Sequence, residues 1–312
     1  MVIKNPRFSA IDVGSNALRM IVGEILSDEG SKQFKILKKY RSSVRLGKDV
    51  FNEGHISDKT LREASRAFEE FAEINREFKV KKTRAVATSA VREAKNKSKF
   101  VSEIYKSSGI DLEIIDGLEE ASLIHLAVYK ELDLHQKKIM LIDIGGGSVE
   151  ITFSDDCYID ATKSFPLGTV RILEQLKKKK WEETHLDLII ADHISALSQY
   201  IDSEQGSHRL DFAVGTGGNL ETLADLKKII FGKSNKRTLT LSEVEKILET
   251  LKQTTIKDRI QKLGMRPDRA DVIVPAVSVI FTLMRLSETR RLVIPGVGLR
   301  DGLLWSTAGY KK

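Results

Sequence analysis

LIDIGGGSVEITF, residues 141–153, places an acid at the mouth of an apolar run, three glycines and a serine behind it, and a second acid inside an alternating apolar segment. A chain that only needed to reverse would use a two-residue turn of the Asn-Gly type. The stretch has a counterpart near the N-terminus. IDVGSNALRMIVGE (11–24) lies over IDIGGGSVEITFSD (142–155), with Ile, Asp and Gly at matching places. A strand–Gly-loop–strand unit repeated after about 131 residues implies two similar α/β domains.

Outward from these hairpins the two halves read in the same order. In the first, RFSAIDV, ALRMIVGEI and FKILKKYRSSVRL are strands. Residues 58–78 form a helix behind a Ser57 or Asp58 cap, TRAVATS is a strand, and Ser98 caps a short helix ending before Gly109. LEII is a strand, followed by a helix from about Glu119 to Leu132. In the second half KIMLIDIG, SVEITFS and CYIDATKSF are strands, and TVRILEQL and 185–201 are helices. LDFAVG is a strand opening a helix at Asn219, and further helices cover 242–252, 256–263 and 268–287. RLVIP is a late strand, and a final helix begins at Leu299. The expected domains are 1–124 and 125–312, with the final helix free to pack back on the first.

The 312 residues are 41% hydrophobic and 30% charged, the balance of a globular protein. No run approaches the ~18 apolar residues of a membrane span. The first residues lack a secretory pattern, and the single cysteine, Cys157, excludes an internal disulfide. Together these point to the cytoplasm. A net charge of +7 favours a polyanionic partner, while 6% aromatics without aromatic–basic interleaving argue against a single-strand nucleic-acid reader. KKKK at 177–180 reads as a solvated helix end.

Glycine lets backbone amides approach a bulky anion, and successive N–H groups make a concave anion site. Gly14, Ser15 and Asn16 offer one such loop, Gly145, Gly146, Gly147 and Ser148 a second. Gly215, Gly217 and Gly218, in VGTGGN, form a third that opens a helix, where the dipole favours phosphate. Strand alternation sets Val149, Ile151 and Phe153 on one face and Ser148, Glu150 and Thr152 on the other, so the hairpin can aim Asp143 and Glu150 at one point. Such oxygen ligands suit Mg²⁺, with Mn²⁺ as a substitute; the plain alternatives are a turn cap and a strand residue facing water. In IIDGLEEASLIH, Glu119 and Glu120 open a helix, which the macrodipole alone accounts for. In ATSAVREAKN, Thr88, Ser89 and Arg92 follow a strand; Arg92 is either a forked phosphate contact or a surface arginine. The histidines 55, 125, 135, 185, 193 and 208 form no metal-like cluster in sequence.

IDVGSNALRMIV, ATSAVREAKN, IIDGLEEASLI, LIDIGGGSVEIT, FPLGTVRILE, AVGTGGN and GVGLRDGLL occur in the order found in the exopolyphosphatase/guanosine pentaphosphate phosphatase (Ppx/GppA) family, which the chain resembles from Ile11 to about Leu304. The resemblance implies two ribonuclease-H-like domains of the actin-like ATPase superfamily flanking an interdomain cleft. It also implies hydrolysis of the terminal phosphoanhydride of polyphosphate or pppGpp. By the same resemblance Glu120 is the base, Asp143 and Glu150 the magnesium site, Arg92 a phosphate contact, and Asn16 with Gly145–Ser148 phosphate-loop positions. A homodimer is a family-level expectation. Asn219 and Asp301 depart from the family's usual Thr and Glu, and the chain looks like a short, two-domain member. The rival readings are a polyphosphate–ADP phosphotransferase of the same superfamily and a non-hydrolytic polyphosphate or (p)ppGpp sensor. Binding of nucleic acid through the basic surface is a weaker third.

Overall fold

A computed structural model describes residues 5–28, 31–206, 209–232 and 237–310. The chain divides into two compact units, Met1–Ala127 with Leu299–Lys312, and Val128–Gly298.

The first unit is a five-stranded sheet built from β1 (Arg7–Val13), β2 (Leu18–Asp28), β3 (Ser31–Ser42), β4 (Lys82–Ala87) and β5 (Leu112–Ile114), in the order β3-β2-β1-β4-β5. β1, β2 and β3 are an antiparallel meander, and β4 and β5 continue parallel to β1. Alternation sends Ile11, Val13, Leu18, Met20, Ala85 and Ala87 into one core. There they meet Phe68 and Phe71 of α2 (Asp58–Glu77) and Phe100 of α4 (Lys97–Ser108). The opposite face is covered by the C-terminal helix (Leu299–Thr307). Leu304 packs where Gly23 has no side chain, and Trp305 meets the edge of Phe34 at 4.7 Å. Two helices carry no sequence expectation: α1 (Leu46–Glu53), of which only Leu46 falls in an expected strand, and α3 (Ser89–Glu93), which starts at the last residue of the expected strand TRAVATS. α5 (Gly117–Glu131) follows β5.

The second unit repeats the plan with β6 (Lys138–Ile144), β7 (Val149–Asp155), β8 (Tyr158–Phe165), β9 (Phe212–Thr216), β10 (Thr238–Thr240) and β11 (Arg291–Val293), in the order β10-β11-β9-β6-β7-β8. Again three strands form an antiparallel meander beside parallel neighbours, here β9 and β11, with β10 antiparallel at the edge. Met140, Ile142, Ile144, Val149, Ile151 and Phe153 fill a core shared with α6 (Thr169–Lys179), α7 (Leu186–Gln205), α8 (Gly218–Phe231) and α9 (Leu241–Lys252). The remaining helices are α10 (Ile256–Gln261), α11 (Pro267–Ala270) and α12 (Ile273–Leu286). The single helix expected over 268–287 is therefore two. Pro275 cannot donate to the carbonyl four residues back, at Asp271, and its ring clashes there, so the helix breaks at that point.

Candidate functional site

In the second unit the β6–β7 hairpin sets Asp143 directly opposite Glu150. Directly opposed residues share a face, and oxygens of the two carboxylates lie within 4.8 Å of each other. Glu150 is 1% exposed, so the alternative of a strand acid facing water fails. Ser164 donates to Glu150 Oε1 at 2.8 Å, and Thr216, one strand over on β9, donates to Asp143 Oδ1 at 2.5 Å. Each acid is thus steered by a hydroxyl from the neighbouring strand.

The bare loop between them is held by its carbonyls. Gly145 N–H closes the turn on Ser148 O at 3.0 Å. The Gly145 carbonyl accepts from Thr169 N–H, and Gly146 from Val170 and Arg171 N–H, all at the start of α6. The Gly147 carbonyl accepts from Arg171 Nε at 2.7 Å. With the oxygens drawn to α6, the N–H groups of Gly146, Gly147 and Ser148 have no acceptor among the described residues. That is the arrangement of an anion bed. Gly168 makes the contact possible: a Cβ there would fall 2.2 Å from the Gly147 carbonyl carbon.

The third loop adjoins Asp143. β9 runs parallel to β6 with Thr216 beside Asp143, and Gly217 (φ +91°) turns the chain into α8. A side chain at Gly217 would approach Asp143 Oδ1 to 3.2 Å. Gly215 is set apart from this turn: it lies inside β9, where a Cβ would press on Leu220 and Leu292. Asn219, the departure from the family pattern, is buried and has specific partners. Its Oδ1 accepts from Arg269 Nη1 at 2.9 Å, and its Nδ2 reaches Thr169 Oγ1 at 3.5 Å. Thr169 holds Gly145, so a buried relay runs from Arg269 through Asn219 to the loop.

In the first unit the equivalent loop repeats the closure, Gly14 N–H to Ala17 O at 3.2 Å. The Ser15 carbonyl accepts from Gly47 of α1. Ser15 and Asn16 are buried. The cross-strand partner of Asp12 is Arg19, with a 3.5 Å ion pair. Burial pushes the Asp12 carboxyl above the usual carboxylate range, against the pull of the Arg19 and Arg300 guanidiniums. The duplicated hairpins therefore differ in the residue that faces the acid. Acid faces arginine in the first, and acid faces acid in the second.

The two glutamates that open α5 also part. Glu119 is outside, 2.5 Å from Arg84 Nη2, which also binds Glu113. Glu120 is 6% exposed and 3.6 Å from Arg92, whose Nη1 is anchored on Ile115 O at 2.8 Å. Arg92 is thus not a free surface arginine. Thr88 precedes α3, and Ser89 binds Glu93 within it. Asp301 sits in the first turn of the C-terminal helix, where its charge favours the dipole. Lys177 pairs with Glu174 at the end of α6, as a solvated helix end would. His208 lies outside the described residues. Sequence reasoning missed Asp12, Thr169, Arg171, Thr216 and Arg269. Of these only Asp12 carried a signal, its alignment over Asp143.

Among the described residues no helix is long and apolar enough to cross a membrane. A model of the Ppx/GppA phosphatase family matches residues 25–311. Exopolyphosphatase 1 of Mycobacterium tuberculosis is 27% identical over 309 residues, covering 96% of this chain and 87% of that protein. The guanosine-5'-triphosphate,3'-diphosphate pyrophosphatase of Vibrio atlanticus is 26% identical over 97% of this chain, which spans only 59% of that longer protein. Among solved structures, an exopolyphosphatase from Cytophaga hutchinsonii matches at TM-score 0.82 and 26% identity, covering 98% of this chain and 99% of its own. The Aquifex aeolicus member of the Ppx/GppA family matches at 0.79 and 25%, covering 97% and 98%.

Proposed function

This chain belongs to the Ppx/GppA phosphatase family, and we propose that it hydrolyses the terminal phosphoanhydride of inorganic polyphosphate, guanosine pentaphosphate or both, releasing orthophosphate. Its units are of the actin-like ATPase kind, as in the solved relatives. The observation that carries the reading is the second hairpin. Two carboxylates placed directly opposite one another repel, at a cost of about 0.2–1 kcal/mol. The first hairpin sets Arg19 against its acid, whereas the second sets acid against acid, an arrangement that a bound cation offsets.

The donor set fits Mg²⁺ or Mn²⁺: hard oxygens only, from two carboxylates brought within 4.8 Å of each other. Asp143 and Glu150 would hold the ion, which when bound offsets negative charge on phosphate oxygens. The N–H groups of Gly146, Gly147 and Ser148 bind the phosphoryl oxygens, and the Gly217–Gly218 turn adds a helix N-terminus. Gly14, Ser15 and Asn16 form the corresponding phosphate loop of the first unit. Arg92 stabilises equatorial oxygens of the transferred group. Glu120 orients the attacking water and takes its proton as oxygen bonds to the terminal phosphorus and the bridging P–O bond breaks. The shortened chain leaves with the bridging oxygen. Arg92, 3.6 Å from Glu120, places a positive charge beside the base. The +7 surplus draws in the polyanion, an effect that salt screens. We further propose a cytoplasmic homodimer.

The test is phosphate release from long-chain polyphosphate, short-chain polyphosphate and pppGpp with Mg²⁺, for wild type and Glu120→Gln. Release that the variant loses supports the reading. Binding without release from any substrate, or ADP-dependent formation of ATP, overturns it.

A further inference from the structure

We propose that His135, Asp156 and Cys157 form a second metal site, in the second unit, for a borderline-soft divalent ion of the Zn²⁺ type. One donor atom from each, imidazole nitrogen, carboxylate oxygen and thiol sulfur, lies within 4.8 Å of the others. His135 Nδ1 is 3.7 Å from Asp156 Oδ1. A tetrahedral shell with bonds of ~2.0–2.3 Å needs ligand separations of roughly 3.3–3.8 Å. Small side-chain rotations therefore close the site.

The place is built before any ion arrives. Asp156 and Cys157 form the turn between β7 and β8, and His135 lies in the loop that leads into β6. Asp156 N–H donates to Lys137 O at 3.2 Å, and Gln136 N–H donates to Asp156 Oδ1 at 2.9 Å. These two bonds clamp the loop to the turn. The clamp takes one lone pair of Asp156 Oδ1, and the carboxylate keeps capacity for a ligand.

The residue choice runs against local preference. Asp156 and Cys157 have φ of 42° and 73°, where a hairpin turn favours Asn-Gly. A turn needs no thiol there, and a β-carbon at Cys157 is a conformational cost. A nitrogen–oxygen–sulfur set disfavours Mg²⁺ and Ca²⁺, which take oxygen ligands, and suits Zn²⁺. Three protein ligands leave a position for water. The site is at the end of the sheet opposite the glycine loop, about 20 Å along β7 from Glu150 at ~3.4 Å per residue. It is thus independent of the proposed hydrolytic residues.

The single cysteine makes the test specific, because any thiolate-to-metal band must come from Cys157. Chelator-treated full-length protein is titrated with Co²⁺ in excess Mg²⁺, which occupies the oxygen-only site. The expected result is one ultraviolet thiolate-to-cobalt charge-transfer band, saturating at one equivalent and displaced by Zn²⁺. Cys157→Ser abolishes it, and His135→Asn and Asp156→Asn each weaken Co²⁺ at least tenfold. The last two change exposed side chains, so they keep the test valid if the serine variant folds poorly. Absence of the band at saturating Co²⁺, or a band that neither exposed substitution weakens, overturns the proposal.

Discussion

Replacing Gly168 by alanine isolates the glycine loop as the phosphate bed. Gly168 has φ −65° and ψ 147°, a conformation any residue adopts, so alanine brings no backbone penalty of its own. The whole effect is steric. Its Cβ would sit 2.2 Å from the Gly147 carbonyl carbon and 2.3 Å from the nitrogens of Gly147 and Ser148, where ordinary contact begins at 3.4 Å. Backbone, not a flexible side-chain tip, must therefore give by more than an ångström. Overpacking of this kind costs about 1–3 kcal/mol. For a unit of this size that lowers Tm by about 2–12 °C. A shift of ~1 Å at a positioning element costs on the order of 100-fold in rate. Scanning calorimetry and phosphate release from polyphosphate measure the two effects separately. Lowered Tm with wild-type kcat/KM would refute the assignment of the loop, and no change in either would refute the packing.

Four further outcomes follow from the geometry. Arg269→Met strips Asn219 of its charged donor and costs about 1.5–3 kcal/mol by denaturant titration, since charge-assisted bonds carry that much. Mg²⁺ raises the Tm of wild type but not of Glu150→Gln, which in chelator is the more stable of the two by about 0.2–1 kcal/mol once like charges no longer oppose. Asp12→Asn responds to pH with a defined sign. The folded-state carboxyl is raised, so folded protein holds a proton that the unfolded chain has released, and wild-type stability falls as pH rises between the ordinary carboxylate value and the raised one. The variant's Tm relative to wild type therefore climbs across that window and levels off above it. Ser57→Ala removes the α2 cap, whose Oγ accepts from Thr60 N–H, and costs about 1 kcal/mol in the first unit.

The repeated hairpins were legible because period-two alternation and a glycine loop leave strong marks in sequence. α2 was legible from its apolar stripe and Ser57 cap. α1 was not, because its N-cap is Arg45 with no side-chain hydrogen bond, so nothing announces a helix after the strand-like Ser-Ser-Val-Arg-Leu. α4 starts at Lys97, not behind Ser98. Its N-cap, Asn96, spends its amide on Ile56, at 2.9 Å to N–H and 2.8 Å to O, so a residue suited to capping serves a tertiary contact instead. At the site, residue types made Asp143 and Glu150 candidates and left Arg92 open between a phosphate contact and a surface arginine. Local sequence gives Glu119 and Glu120 equal standing at a helix start; the family resemblance picks Glu120, and in the structure the bond from Glu119 to Arg84 and the burial of Glu120 separate the two. Arg269 was invisible because its partner lies fifty positions away.

The C-terminal helix has a temporal consequence. The second unit is continuous, Val128–Gly298, whereas the first is completed only by residues from Leu299 onward. Until those residues emerge from the ribosome, the face of the first sheet carrying Phe8, Ala10, Ile21 and Val86 lacks the cover of Leu304 and Trp305. Gly302, whose would-be Cβ lands 1.7 Å from Leu123 O, has not yet docked. At 5–20 residues per second the wait is on the order of ten seconds or more. The N-terminal half is made first and finished last, and during synthesis it is the half that depends on protection from aggregation.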